Sequence, residues 1–195
     1  MQSTYEQAIA QVFKDEGGYT NESTDPGGPT NWGITLYDAQ TYWKHDATSE
    51  DVKSMPKSVA EDIYRNHYAI PVKYDSLPAG VDYAVLDYAI NSGISRSSKL
   101  LQHLVGVTED GIIGSITIAK VNTVEPTSLI KSIYTERLAF LKGLHTWSVY
   151  GHGWTNRCTQ GLDLALSLAE KKVETKPWYK IFIEYITNLF NRKGN

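Results

Sequence analysis

Phe13-Lys-Asp-Glu16-Gly-Gly-Tyr19 is followed closely by Asp25-Pro-Gly-Gly-Pro-Thr30-Asn31-Trp32-Gly-Ile-Thr35. Upstream of the first block, Ala8, Ile9, Val12 and Phe13 recur at helical spacing, so residues 4–16 read as an amphipathic helix stopped by Gly17-Gly18. Glu16 then falls in the last turn, at the edge of the apolar stripe. Apolar surroundings and the negative end of the helix dipole both disfavour an ionised carboxylate there. A carboxyl that keeps its proton is what general-acid cleavage of a glycosidic bond requires, although a lone glutamate at a helix end is most often simply solvated. The spacing sharpens the reading. Asp25 follows by nine residues across turn-forming sequence with room for a short hairpin. Folded back, it would give two carboxylates in different environments, one to donate a proton and one to activate water. The competing reading of Asp25 is an Asx turn that stabilises the loop. Thr30 and Asn31 are equal candidates for holding the water. Tyr19 and Trp32 flank the loop and are favoured for stacking on a sugar, whereas Tyr42 and Trp43 read as core.

Outward from this block the chain reads as mainly helical. Thr35-x-x-Asp38 predicts a capped helix over 36–43, and Ser58-x-x-Glu61 another to about Tyr68. Pro71–Pro78 is a connector. Helices are expected over 79–91, 96–105, 115–122, from Pro126 to about Leu144, and from about Arg157 to Lys172, with an aromatic, glycine-rich stretch over 145–156. In the tail, Trp178, Tyr179, Ile181, Phe182, Tyr185, Ile186, Leu189 and Phe190 form one face of a helix begun by Pro177. From Lys171 on, six Lys/Arg face two Glu, a net of +4 against −7 for residues 1–170. That face either packs on the core or meets an anionic membrane surface.

At the level of motifs the chain resembles glycoside hydrolase family 108, peptidoglycan-cleaving N-acetylmuramidases often found as phage endolysins. Glu-Gly-Gly-Tyr followed by Asp-Pro-Gly-Gly-x-Thr-Asn-x-Gly-Ile-Thr carries the resemblance. It continues in Leu86-Asp87-Tyr88-Ala89-Ile90-Asn91-Ser92-Gly93, and in Gly153-Trp154-x-Asn156-Arg157. Leu101-Gln102 with Asp110-Gly-Ile-Ile-Gly114-x-x-Thr117 is similar to a helical peptidoglycan-binding motif. The resemblance implies a mainly α (α+β), lysozyme-like helical fold with a short β-hairpin at the cleft. It implies Glu16 as catalytic acid; the Glu-x8-Asp order also resembles phage-type lysozymes, in which an acid, a following Asp and a Thr make the site, and this implies Asp25 and Thr30 as its other members. Four residues separate Asp25 from Thr30 where phage-type lysozymes have five, and Asn31 occupies that fifth-residue position. Asn91 is either a substrate contact or a helix cap. The expected layout is a catalytic lobe over 1–92, a peptidoglycan-binding-like lobe over 93–174 forming one compact unit with it, and the amphipathic helix over 175–195. Hydrolysis needs no cofactor. A lytic transglycosylase, which dispenses with the water-activating aspartate, and a non-catalytic wall-binding or virion structural protein are the alternatives.

Composition narrows the remaining classes. A hydrophobic content of 41% and net charge of −3 describe a globular chain with no general affinity for nucleic acid. One cysteine, Cys158, permits no intrachain disulfide, and five scattered His show no metal-ligand spacing, so no metal is expected. No signal peptide or transmembrane run is legible. The expectation is a monomer made in the cytoplasm that reaches the periplasmic or external wall after release, with bacterial peptidoglycan as partner.

Overall fold

The computed structural model describes residues 2–21 and 28–171; Asp25 and the tail helix expected over 175–195 lie outside the described residues. Helix α1 (Gln2–Glu16) buries Ala8, Ile9, Val12 and Phe13, as its periodicity predicts. It ends where Gly17 takes φ +75° and its N–H donates to the Phe13 carbonyl at 3.2 Å. The hairpin follows. Strands β1 (Thr30–Asn31) and β2 (Ile34–Thr35) pair antiparallel, and the backbones of Thr20 and Thr30 exchange bonds of 2.8 and 2.9 Å. The two-residue turn between the strands, Trp32-Gly33, has positive φ at both positions, the geometry that matches strand twist. Trp32 adopts it against the preference of a bulky residue because three contacts pin it. Its indole N–H donates to the Met55 carbonyl at 3.3 Å. Its ring meets Phe13 edge-on at 5.6 Å, and its carbonyl accepts from the Tyr64 hydroxyl at 2.9 Å.

Helix α2 (Leu36–Tyr42) opens on the expected reciprocal cap of Thr35 and Asp38. The same device, Thr48 with Asp51, starts α3 (Ser49–Lys53), a helix too short to show periodicity because it buries only Val52. Helix α4 (Lys57–Tyr64) differs from expectation at its start. Pro56 occupies the cap position and Ser58 makes no capping bond, since the fixed φ of proline already sets the chain for entry. A π-helical turn over Arg65–Ala69 carries the helix on. Helices α5 (Val81–Ser92), α6 (Ile94–Val105), α7 (Ser115–Val121) and α8 (Pro126–Lys142) fall where expected, α8 capped by the Glu125 carboxylate. Helix α9 (Trp147–Lys171) starts ten residues before the expected Arg157. The glycines that suggested a loop are helical, and Gly151 leaves the space that the Trp147 ring fills, 2.6 Å from where a Cβ would stand.

Among the described residues this makes nine α-helices and one two-stranded sheet, a mainly α, lysozyme-like fold with a short hairpin. Apolar contacts form two clusters. The smaller joins Ile9, Val12 and Phe13 to Ile34, Val52, Met55, Ile63 and Tyr64 beneath the hairpin. The larger is built around α5, which packs on α1, α6, α8 and α9, and it runs across residues 92/93. Tyr5, Tyr68 and Ile90 touch both. At the start of α5, Gly80 sits at φ +84° with its α-carbon against α9, where a Cβ would lie 2.3 Å from the Ala165 carbonyl oxygen. Backbone cannot yield as a side chain does. Gly80→Ala is therefore expected to cost about 3 kcal/mol and to lower Tm by about 6–12 °C in thermal unfolding.

Candidate active site

Three elements deliver the site: the end of α1, the hairpin turn and the middle of α9. Glu16 closes α1, its side chain about one-quarter exposed. Gly33 presses on it from the hairpin, so that a Cβ at 33 would come within 2.8 Å of Glu16 Cγ and 2.3 Å of the Tyr64 hydroxyl. Only a glycine lets the turn lie this close to the acid. From the other side Arg157 reaches over, its Nη2 2.7 Å from Glu16 Oε1. The unpaired apolar setting read from the local sequence is thus replaced by an ion pair, because α9 lies far from α1 in the chain but beside it in space. Oε2 receives no hydrogen bond from a described residue.

Arg157 is itself held from behind. The same Nη2 lies 3.3 Å from Asp87 Oδ1, on α5. Asp87 Oδ2 accepts from Arg137 of α8 and from the Tyr134 hydroxyl at 3.2 Å. Arg137 and Asp87 are almost wholly buried. Burial alone would push the Asp87 carboxyl up, but the Arg137 and Arg157 guanidiniums and their hydrogen bonds hold it below the usual carboxylate range. Burial likewise opposes the charge on Arg157, and Asp87 and Glu16 more than offset it. Gly161, one turn beyond Arg157, makes room for this junction: a Cβ there would stand 2.6 Å from the Tyr134 hydroxyl and 3.0 Å from Asp87 Oδ2. Beside Glu16, Asp15 is raised by burial against the pull of Arg157 and of the Gln11 amide, which donates to it at 2.7 Å.

The other residues singled out from sequence are spread around this centre. Thr30 lies on β1, half-buried, its hydroxyl donating to the Gly28 carbonyl at 3.1 Å. Asn31 is buried, and its amide nitrogen donates to the Val52 and Lys53 carbonyls at 3.0 and 3.1 Å, which ties β1 to the end of α3. Trp32 is fixed in the turn as described. Tyr19 is half-buried, with Lys53 Nζ 6.0 Å from its ring centre. Asn91 sits one turn beyond Asp87 on α5 and accepts from the Ser92 hydroxyl at 3.0 Å. Arg157, Asp87, Arg137 and Tyr134 were not predicted as site residues. The available signal was a charged residue at an apolar-face position of each of two helices, at 87 and 137, together with an arginine in the Gly-Trp-x-x-Arg stretch. Among the described residues no three His, Cys, Asp or Glu side chains gather as metal ligands.

Neutralising Asp87 strands the fully buried Arg137 without a counter-charge. Asp87→Asn is expected to cost about 3–5 kcal/mol in denaturant unfolding, whereas Tyr134→Phe costs about 1 kcal/mol. Because the folded carboxyl titrates below its unfolded value, its stabilisation is present in full above the ordinary carboxylate range. It is lost as pH falls through the folded titration, so the gap between wild type and Asp87→Asn should narrow below about pH 4.

Comparison with known proteins bears on this arrangement. Residues 9–93, which carry Glu16, the hairpin and Asp87, match the family model "Glycosyl hydrolase 108". The structure of Brucella abortus SagA is 44% identical, with a TM-score of 0.80, over 87% of this chain and 97% of that one. A search of curated proteins gave no match. Identity of that extent over a shared fold, with the family match falling on the half that holds the acid and its turn, places this chain in the glycosyl hydrolase 108 family.

Proposed function

We propose that this glycoside hydrolase is an N-acetylmuramidase that cleaves the glycan backbone of bacterial peptidoglycan, with Glu16 as its general acid. The observation that carries the reading is the Glu16 carboxyl itself. It is partly exposed beneath the hairpin turn, gripped at Oε1 by Arg157 and free at Oε2 of donors from described residues. A carboxyl fixed by one oxygen can carry its proton on the other and present it to a glycosidic oxygen without rotating away. As the bond breaks, the carboxylate that forms is met by the guanidinium already in place.

Asp25 is the proposed second carboxylate, acting on water or on the anomeric carbon, and Thr30 of β1 is proposed to orient the water. The resemblance in the loop motif supports these roles. Tyr19 and Trp32 are proposed to line the approach of the strand. The reaction as proposed uses only protein groups and water. An endolysin-like role, in which the protein acts as a monomer on the wall after release from the cytoplasm and its tail contacts the membrane surface, extends the same proposal.

Glu16→Gln keeps the shape and removes the transferable proton. On purified sacculi its turnover is expected to fall about 10²–10⁴-fold with unfolding midpoint little changed. Wild type should release reducing N-acetylmuramic acid ends, seen by mass spectrometry after borohydride reduction. Undiminished turnover by Glu16→Gln would remove the acid role. Anhydro-muropeptide products would assign a lytic transglycosylase instead.

A further inference from the structure

Helices α5 and α9 carry a second set of groups beside the acid. Asn91 lies four residues after Asp87, and Trp154 three before Arg157. Residues at those spacings share a helix face, so both stand about one turn, ~5.4 Å, along from the ion-pair junction. A cleft of about 390 Å³ opens there, lined in part by Asn91, Ser92, Arg96, Phe140, Leu144 and Trp154, a volume within the range of small-ligand sites.

Its walls differ in character. On α9 Trp154 lines the cleft, and its ring centre is 5.7 Å from that of Tyr150 and 6.1 Å from that of Trp147, which back it. Tyr150 is 55% exposed. Across the cleft, the exposed Arg96 guanidinium lies 4.0 Å from the Phe140 ring centre and pairs with no carboxylate among the described residues. Among the described residues no acidic side chain lines the cleft. The Asn91 side-chain oxygen accepts from Ser92, and its amide N–H groups have no partner among the described residues.

An aromatic face packs the C–H face of a pyranose, an amide meets its polar substituents, and a stacked guanidinium is pre-set for a carboxylate. We propose that this cleft is a subsite for a muramyl residue flanking the scissile bond, with a carboxylate of the muramyl 3-substituent paired to Arg96. Arg96 then makes the enzyme prefer acidic glycan to a neutral chain of the same backbone. The inference rests on the peptidoglycan reading above.

The test uses soluble peptidoglycan chains, native or with every carboxylate converted to an amide. On native chains Arg96→Gln should raise KM about three- to tenfold, the scale of one charge-assisted contact near solvent, with kcat little altered. Arg96→Lys should recover most of the loss. On amidated chains the Gln substitution should change KM less than about twofold. Stem-bearing chains hold the lactyl carboxyl as an amide, so the charge Arg96 meets on them belongs to the stem. Chains stripped of their stems expose the lactyl carboxylate, and an Arg96→Gln effect that persists there shows that this group can take the stem carboxylate's place, whereas one that vanishes restricts the pairing to the stem. An equal effect on native and amidated chains, or none on either, overturns the subsite while leaving the muramidase reading standing. Failure of wild type to cleave any of these chains removes that reading, and this inference with it.

Discussion

A carboxylate buried as deeply as Asp87 costs several kcal/mol in lost hydration unless every lone pair is met. Here three donors from two other helices meet it. Arg137 and Tyr134 reach from α8 to one oxygen, and Arg157 reaches from α9 to the other. Hydrogen-bonded charges tolerate little displacement, so the relative placement of α5, α8 and α9 is tied to this junction. Gly161 allows the approach, having no side chain where Tyr134 and Asp87 meet. The proposed chemistry at the surface depends on the same contact, because the guanidinium that completes the Asp87 shell also holds Glu16. Stability of the core and placement of the acid are therefore two consequences of one set of bonds.

The hairpin supplies the opposite wall by a different means. Its turn forces Trp32 into a conformation that bulky residues avoid, and Met55, Phe13 and Tyr64 hold it there. In return the Gly33 backbone lies against the Glu16 stem. The acid is confined between a strained turn and a charged helix, and its freedom to swing is small. This fixation matters for proton transfer, where a displacement of an ångström is costly.

What could be read from the sequence follows from how local each determinant is. The end of α1, the Thr35–Asp38 cap, the start of α8 at Pro126 and the position of Glu16 all rest on residues within a turn or two of one another, and the structure places them as read. Helix α3 escaped notice because five residues show no period, and that omission altered the reading of Asn31. The last carbonyls of a helix need donors, and the Asn31 amide supplies them to Val52 and Lys53. The start of α9 was hidden by glycines whose helical role depends on the ring of Trp147. The setting of Glu16 was misjudged for a similar reason: its neighbours in sequence are apolar, but its neighbour in space is Arg157.

The central claim is that Arg157 serves the reaction by holding the Glu16 carboxyl. A double-mutant cycle in kcat/KM with Glu16→Asp and Arg157→Lys tests it most directly. If the guanidinium acts through the acid, the two losses overlap, and the double variant is about as slow as Glu16→Asp alone. If the losses multiply, Arg157 contributes independently of Glu16, and the account is contradicted.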